Sequence, residues 1–334
     1  MVTTAAPAKN PDRIGCLLGF SRATNATRAH RLLTNEEAVV SRLEVTRITP
    51  RGYCHGVVDA IRIAKRVSAE RDGPVYMLGH LVHNQHVTDD LQTHGVELID
   101  AQDRLAGLDA VDRGTVIFTA HGVSPAVREK AAARGLAQVD ATCSDVARTH
   151  DLVRRLVAEG CEVVYVGRRG HPEPDGVVGE APGRVHLVQD VADVDGLEIS
   201  AERVAVTCQT TLSVWDTGEL IARVRERYPH VEVHNEICRA TQERQEAAVA
   251  AARDVDVVIV VGSPRSSNSL RLVEVVRGRA GRPAHLVDRV EDVSPAWFAG
   301  CRRVGVTSGV STPSQLTRAV IAFIESLELP GDQT

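Results

Sequence analysis

An α/β fold made of three similar parallel-sheet units is predicted by three observations. β-branched runs of four to seven residues alternate with stretches of helical apolar spacing from about residue 43 to the end of the chain. The residues able to do chemistry gather on the turns where a run of the first kind gives way to one of the second. Three cysteines on such turns are nearly evenly spaced: 89 residues separate Cys54 from Cys143, and 95 separate Cys143 from Cys238. A long internal period of that kind reads as one unit per cysteine.

The elements follow in order. Leu43 to Thr49 carries Val45, Thr46, Ile48 and Thr49, and leads into the glycine-bracketed turn Arg51-Gly52-Tyr53-Cys54-His55-Gly56. Apolar residues then fall at Val57, Ala60, Ile61, Ala64 and Val67, which is helical spacing. The run at 75–78 reads as a strand ending near His80 and His83. A helix to about residue 94 and a strand at 96–99 follow. A strand at 115–118 ends at Ala120-His121-Gly122, and Ser124-Pro125 opens the next helix. A strand at 137–139 runs directly into Asp140-Ala141-Thr142-Cys143 and a helix closed by Gly160.

The pattern repeats with strands at 162–166, 185–188 and 203–207. The last of these places Cys208 on a turn with Gln209, Thr210 and Thr211. Helices near 213–228 and 239–253 flank a strand at 231–233 and the turn that carries Cys238. A buried strand at 255–261 leads into Gly262-Ser263-Pro264-Arg265-Ser266-Ser267-Asn268, and a last strand at 304–307 into Ser308-Gly309-Val310-Ser311 and a closing helix. The units read as 43–142, 143–236 and 237–330. Residues 1–42 are set aside as an extension without a packed fold: Lys9, Arg13, Arg22, Arg28 and Arg31 face only Asp12 in the first 34 residues, a composition shared with transit peptides.

Composition narrows the function. A net charge of -5 disfavours a general nucleic-acid surface, and 3% aromatic residues leave little for stacking on single strands. No apolar run has membrane-spanning length. Seven cysteines, an odd number in a long chain without a secretory signal, point to reduced cytosolic thiols and not to a disulfide scaffold.

Three thiolates from three units suit a metal centre with one open position. Zinc with three protein ligands keeps a site for water. A cubane iron–sulfur cluster with three cysteines keeps one iron free, whereas electron-transfer clusters use four. Spacing alone does not choose between them. Cys161 and Cys301 read as small hydrophobes beside strands, and Cys208 as a cysteine near the site. His83, His121 and His171 sit on equivalent turns. Glu173 follows between Pro172 and Pro174, which are expected to hold the backbone extended, and a carboxylic acid there is a natural proton donor. The stretch from Gly262 to Ser269 offers hydroxyls, an amide and a helix start to a phosphate, with neither a P-loop lysine nor a dinucleotide fingerprint.

Taken together, PRGYCHGV (50–57), VHN (82–84), AHG (120–122), DATC (140–143), GHPE (170–173), QTTLS (209–213), EICRATQERQ (236–245), SPRSSNS (263–269) and GVSTP (309–313) resemble the 4-hydroxy-3-methylbut-2-enyl diphosphate reductase family along nearly the whole chain. The resemblance implies three α/β domains in a pseudo-threefold trefoil around a [4Fe–4S] cluster held by Cys54, Cys143 and Cys238. It implies that His83, His121, Ser266, Ser267, Asn268 and Ser311 bind the substrate diphosphate. His171 and Thr210 would order substrate and proton relay, and Glu173 would deliver the proton. It further implies a ferredoxin or flavodoxin as electron donor and a cytoplasmic enzyme. His55 and Leu270 depart from common residues of the family, beside the first cysteine and beside the serine-rich turn. Another open-cluster enzyme, such as a dehydratase, and a non-catalytic metal sensor are the rival readings.

Overall fold

The computed structural model describes residues 40–330; the extension and Cys16 therefore lie outside the described residues, apart from the last three positions of the extension. Three four-stranded parallel sheets carry the fold. The first has the order Val96–Ile99, Val75–Leu78, Thr115–Phe118, Ala137–Asp140. The second has the order Val185–Val188, Glu162–Val166, Val204–Cys208, Glu232–Val233. The third has the order Ala284–Val287, Val257–Val261, Arg303–Ser308, Glu44–Arg47.

The first two sheets share the chain order 2-1-3-4. The third repeats 2-1-3 and takes its fourth strand from the other end of the chain: Arg303 to Val306 pair in parallel with Glu44 to Arg47. The boundary expected at residue 43 grouped this strand with its neighbours in sequence, and the pairing moves it to the third sheet. The first sheet is complete without it, and the third has an open edge beside Arg303–Ser308 that it fills. A short antiparallel pair, Val40–Arg42 with Glu328–Pro330, joins the two ends of the described chain.

The central strands are apolar because helices cover both faces of each sheet. Every residue of Glu162–Val166, Val204–Cys208 and Val257–Val261 is buried, the signature of an interior parallel strand. In the first unit Val57, Ala60, Ala64 and Val67 of the helix His55–Glu70 pack on Met77 and Ile117. Leu108, Val127 and Ala131 cover the opposite face, against Leu78, Val116 and Phe118.

Four local expectations change. Pro172 and Pro174 lie in the first turn of a helix, Pro172–Val178, and are not extended. Proline is tolerated there because the N–H groups of a first turn have no intrahelical acceptor in any case. The strand Ala284–Val287 and the short helix Arg104–Gly107 are additional elements. Their sequences, AHLV and RLAG, are too short to show a period. Cys208 is the last residue of a fully buried strand and not part of the turn after it.

Candidate active site

Every residue singled out from the sequence as a ligand or binding group follows the carboxyl end of a parallel strand, and the offsets repeat between units. His83, His171 and Ser266 each stand five residues beyond the first strand of their sheets, which end at Leu78, Val166 and Val261. The third strands end at Phe118, Cys208 and Ser308, and the carbonyls two residues on play one role three times. Ala120 O accepts from Cys143 N at 3.0 Å, Thr210 O from Cys238 N at 3.0 Å, and Val310 O from Cys54 N at 3.1 Å. A single repeated backbone bond therefore seats all three cysteines.

Cys54, Cys143 and Cys238 line one cavity of about 80 Å³ with His83, His121, His171, Glu173, Thr210, Ser266, Ser267, Asn268 and Ser311. Each of the three is the N-cap of a helix, His55–Glu70, Ser144–Ala158 or Arg239–Ala252, and none caps it through its side chain. Three helix N-termini thus present their positive ends to the cavity beside the sulfurs, which favours anionic sulfur. Burial opposes the bare thiolate: it pushes Cys143 up to about 11 and Cys238 upward. Deprotonation then requires a cation, and a metal that displaces the thiol protons supplies one. The six described cysteines are all free thiols.

The donor set fits a cluster bound by three cysteines. The thiols come from three separate segments, face a shared cavity, and leave its remaining wall to groups that bind oxygen anions. Cys208 does not line the cavity. It packs among Val206, Leu212 and Ile237 and reaches Asn235 Oδ1 at 3.5 Å. Cys161 is fully buried in a separate hydrophobic cluster, and Cys301 packs at the edge of another.

Gly56 is required by this packing. A Cβ there would stand 2.3 Å from Cys143 Sγ, so Gly56→Ala is expected to displace that sulfur and weaken metal binding by the three thiols, measured as metal content after anaerobic purification. Helicity measured by circular dichroism should stay near wild type, since alanine favours the helix.

The three histidines form a cage. Their ring centroids lie 4.2 Å apart for His83 and His121, 4.8 Å for His83 and His171, and 5.4 Å for His121 and His171. Burial is the main reason that all three titrate low: His83 is pushed down to about 4, and His121 and His171 well below the ordinary range. Neighbouring imidazoles and Arg104 add to the effect. They are neutral at physiological pH, so their hydrogen bonds fix which nitrogen holds the proton. His171 Nδ1 accepts from Glu173 N at 3.2 Å, and its proton is therefore on Nε2. That Nε2–H donates to His83 Nε2 at 3.1 Å, which leaves His83 protonated on Nδ1.

Glu173 is 1% exposed. Thr210 N donates to Oε1 at 2.7 Å and the Thr210 hydroxyl to Oε2 at 3.0 Å. Burial raises its pKa to about 7 despite these donors and the nearby Tyr165 hydroxyl, so desolvation wins. The acid is half protonated near neutrality and borders the cavity of the cysteines.

The third unit supplies hydroxyls. Ser266 Oγ caps the helix Ser267–Ala280 by accepting from Ser269 N at 3.2 Å. Ser267 Oγ is buried without a protein partner, an orphaned donor on the cavity wall. Asn268 Oδ1 accepts from Val310 N at 3.1 Å, and its Nδ2 donates to Thr241 Oγ1 at 3.3 Å. One amide hydrogen of Asn268 is left for a ligand. Ser311 Oγ donates to His83 O at 3.3 Å, tying the first and third units together beside the cage.

The cavity has further neighbours beyond the residues that sequence motifs mark. Thr211 lines the cavity at the position equivalent to His121 and Ser311, and the repeat offset is the signal that finds it. Arg244 is 4% exposed, donates to Gly52 O and Ala240 O at 2.8 Å each, and lies close to Cys54 and Cys238. It is a buried cation beside two sulfurs, and nothing in its helical surroundings marked it. His55 reaches Asp145 at 3.5 Å on the surface beside Cys143, and Leu270 lines an outer cavity of about 570 Å³ behind His83 and His171.

Comparison with known proteins agrees with this architecture. The family model described as LytB protein matches residues 45–325. A curated relative from Symbiobacterium thermophilum named 4-hydroxy-3-methylbut-2-enyl diphosphate reductase is 55% identical over 294 residues, 87% of this chain and 100% of its own length. One of the same name from Halalkalibacterium halodurans is 52% identical over 87% of this chain and 94% of its own. The solved reductase from Plasmodium falciparum superposes with a TM-score of 0.80 at 33% identity, covering 84% of this chain and 87% of its own. With the family model spanning all three sheets and the site-bearing turns between them, the chain belongs to the LytB family.

Proposed function

We propose that this chain removes the allylic hydroxyl of (E)-4-hydroxy-3-methylbut-2-enyl diphosphate reductively, giving isopentenyl and dimethylallyl diphosphate in the last step of the non-mevalonate isoprenoid pathway. The observation that carries the reading is the meeting of three thiols with a buried acid of pKa about 7 and a neutral histidine–hydroxyl cage in one cavity. The overall change consumes two electrons and two protons: the C–O bond breaks, the oxygen leaves as water, and an allylic carbon takes up a proton.

Cys54, Cys143 and Cys238 are the residues that would hold a [4Fe–4S] cluster, which when bound supplies reducing electrons and an open iron as Lewis acid for the allylic oxygen. The protein's own groups do the rest. His83, His121, Ser266, Ser267, Asn268 and Ser311 bind the diphosphate through hydrogen bonds, with Ser267 Oγ already lacking a partner. His171 joins the cage through Nε2 and accepts from the backbone N–H of Glu173 through Nδ1, which fixes the ring beside the residue that carries the acid. Thr210 holds both carboxyl oxygens of Glu173 and so aims the acid, which supplies the proton. A ferredoxin or flavodoxin delivers the electrons singly, in the cytoplasm. Among the described residues no helix is long and apolar enough to cross a membrane.

Anaerobic purification followed by iron and zinc analysis, and an assay of the allylic diphosphate with reduced methyl viologen, tests the reading. Iron-dependent formation of both products is expected. Bound zinc alone, or turnover that needs no reductant, would replace it with a zinc-site or dehydratase reading.

A further inference from the structure

We propose that Arg104 and Thr119 are positioning residues that lock His121 into the tautomer with its proton on Nε2, making it a fixed hydrogen-bond donor to the diphosphate. The proposal rests on the diphosphate reading of the cavity and assigns roles to two residues outside it.

The two arginine bonds have a fixed direction, and satisfaction of a buried hydroxyl selects the third. The guanidinium of Arg104 bridges both ends of the turn that carries His121: Nη1 donates to Gly122 O at 3.1 Å and Nη2 to Thr119 Oγ1 at 3.0 Å. Arginine has no acceptor, so the Thr119 oxygen must accept. Thr119 is fully buried, and its other side-chain partner among the described residues is His121 Nδ1 at 3.3 Å. Its oxygen has a second lone pair, but an Nδ1–H donated to it would leave the buried hydroxyl hydrogen without an acceptor among the described residues; donation to a bare Nδ1 satisfies every group. A neutral imidazole with a bare Nδ1 carries its proton on Nε2. Nε2 makes no hydrogen bond to a described residue, and the ring lines the cavity. The donor is thus ready before any ligand arrives.

Arg104 has no carboxylate within ion-pair distance among the described residues, and its helix Arg104–Gly107 serves to bring it behind the cage. It lies on the wall of the outer cavity, with His83 and His171 forming the partition between that cavity and the inner one. A positive charge there complements an anion bound on the far side of the histidines. A relay that ended in a donor to nothing would be a costly use of a fully buried hydroxyl and a half-buried guanidinium.

The test uses the holoenzyme, inorganic pyrophosphate as the probe, and isothermal titration calorimetry. Thr119→Val keeps the shape and deletes the hydroxyl, so His121 is free to take either tautomer. Its pyrophosphate Kd is expected to rise about tenfold, in the range of a hydrogen bond to a charged group. With the allylic diphosphate, KM should rise similarly while kcat stays within about twofold, because the bond lies away from the reacting carbon. Thr119→Ser restores the hydroxyl and should restore both values. Arg104→Met, which lets the Thr119 hydroxyl reverse, should weaken pyrophosphate binding as well and covers the case in which Thr119→Val does not fold.

Wild-type affinity in either Thr119→Val or Arg104→Met, or a Thr119→Ser variant as weak as valine, overturns the proposal. Wild-type protein that fails to bind pyrophosphate overturns the diphosphate reading and this proposal with it. An unchanged variant of a wild type that binds overturns this proposal alone.

Discussion

Replacing Glu173 with glutamine is expected to lower kcat by about two to four orders of magnitude, the range for loss of a general acid. Iron content and pyrophosphate affinity should remain near wild type. Glutamine keeps the volume and an oxygen for the Thr210 donors, which hold the carboxyl at 2.7 and 3.0 Å. It cannot release a proton. The same residue sets a pH dependence whose sign follows from its cause. Burial raises the pKa to about 7, so the protonated donor dominates below neutrality and is lost as pH rises through that value. The alkaline limb of kcat should fall with an apparent pKa near 7 in the wild type. A limb that is unchanged in Glu173→Gln would assign the proton to another group. Linkage gives the same sign for stability: the folded state binds this proton more tightly than the unfolded chain, so what it contributes is present at low pH and lost as pH rises through about 7.

Cys54→Ser, Cys143→Ser and Cys238→Ser should each abolish the visible iron–sulfur absorption and reduce turnover to background, because each removes one of three sulfurs on a single cavity. Cys208→Ala is the contrasting case. It lies in the core of the second unit, bonded weakly to Asn235 Oδ1. It should keep its iron and activity and lose only about 1 kcal/mol of stability for the small cavity left behind, measured by denaturant unfolding. Full cluster retention in any of the first three, or cluster loss in Cys208→Ala with the fold intact, would reassign the ligands.

Much of the fold was legible because each unit advertises itself locally. Runs such as Val257–Val261 can only be interior strands, and turns such as Gly262 to Ser269 follow them directly. Glycines there have steric reasons: a Cβ at Gly309 or Gly262 would come within 2.1 or 2.3 Å of Ser269 Oγ. The site was legible for the same reason, since in parallel sheets chemistry collects at the carboxyl ends of strands. What failed to show was non-local or too short for a period. Glu44–Arg47 looks like any strand, and only an open edge 259 residues away, where Arg303 pairs with Glu44, decides its sheet. The two prolines around Glu173 suggested an extended loop, yet at the start of a helix they cost nothing and the helix buries the acid between them.

By itself the sequence determined which residues stand on which turns, since that follows from the order of strands and helices along the chain. The tertiary structure decided their chemical state. Burial makes Glu173 a near-neutral acid and keeps His83, His121 and His171 uncharged. Contacts from distant segments put Arg244 beside the sulfurs and Arg104 behind the histidines. Protonation and hydrogen-bond direction depend on solvent exclusion and on partners brought from far along the chain, and neither is encoded in a local pattern of residues.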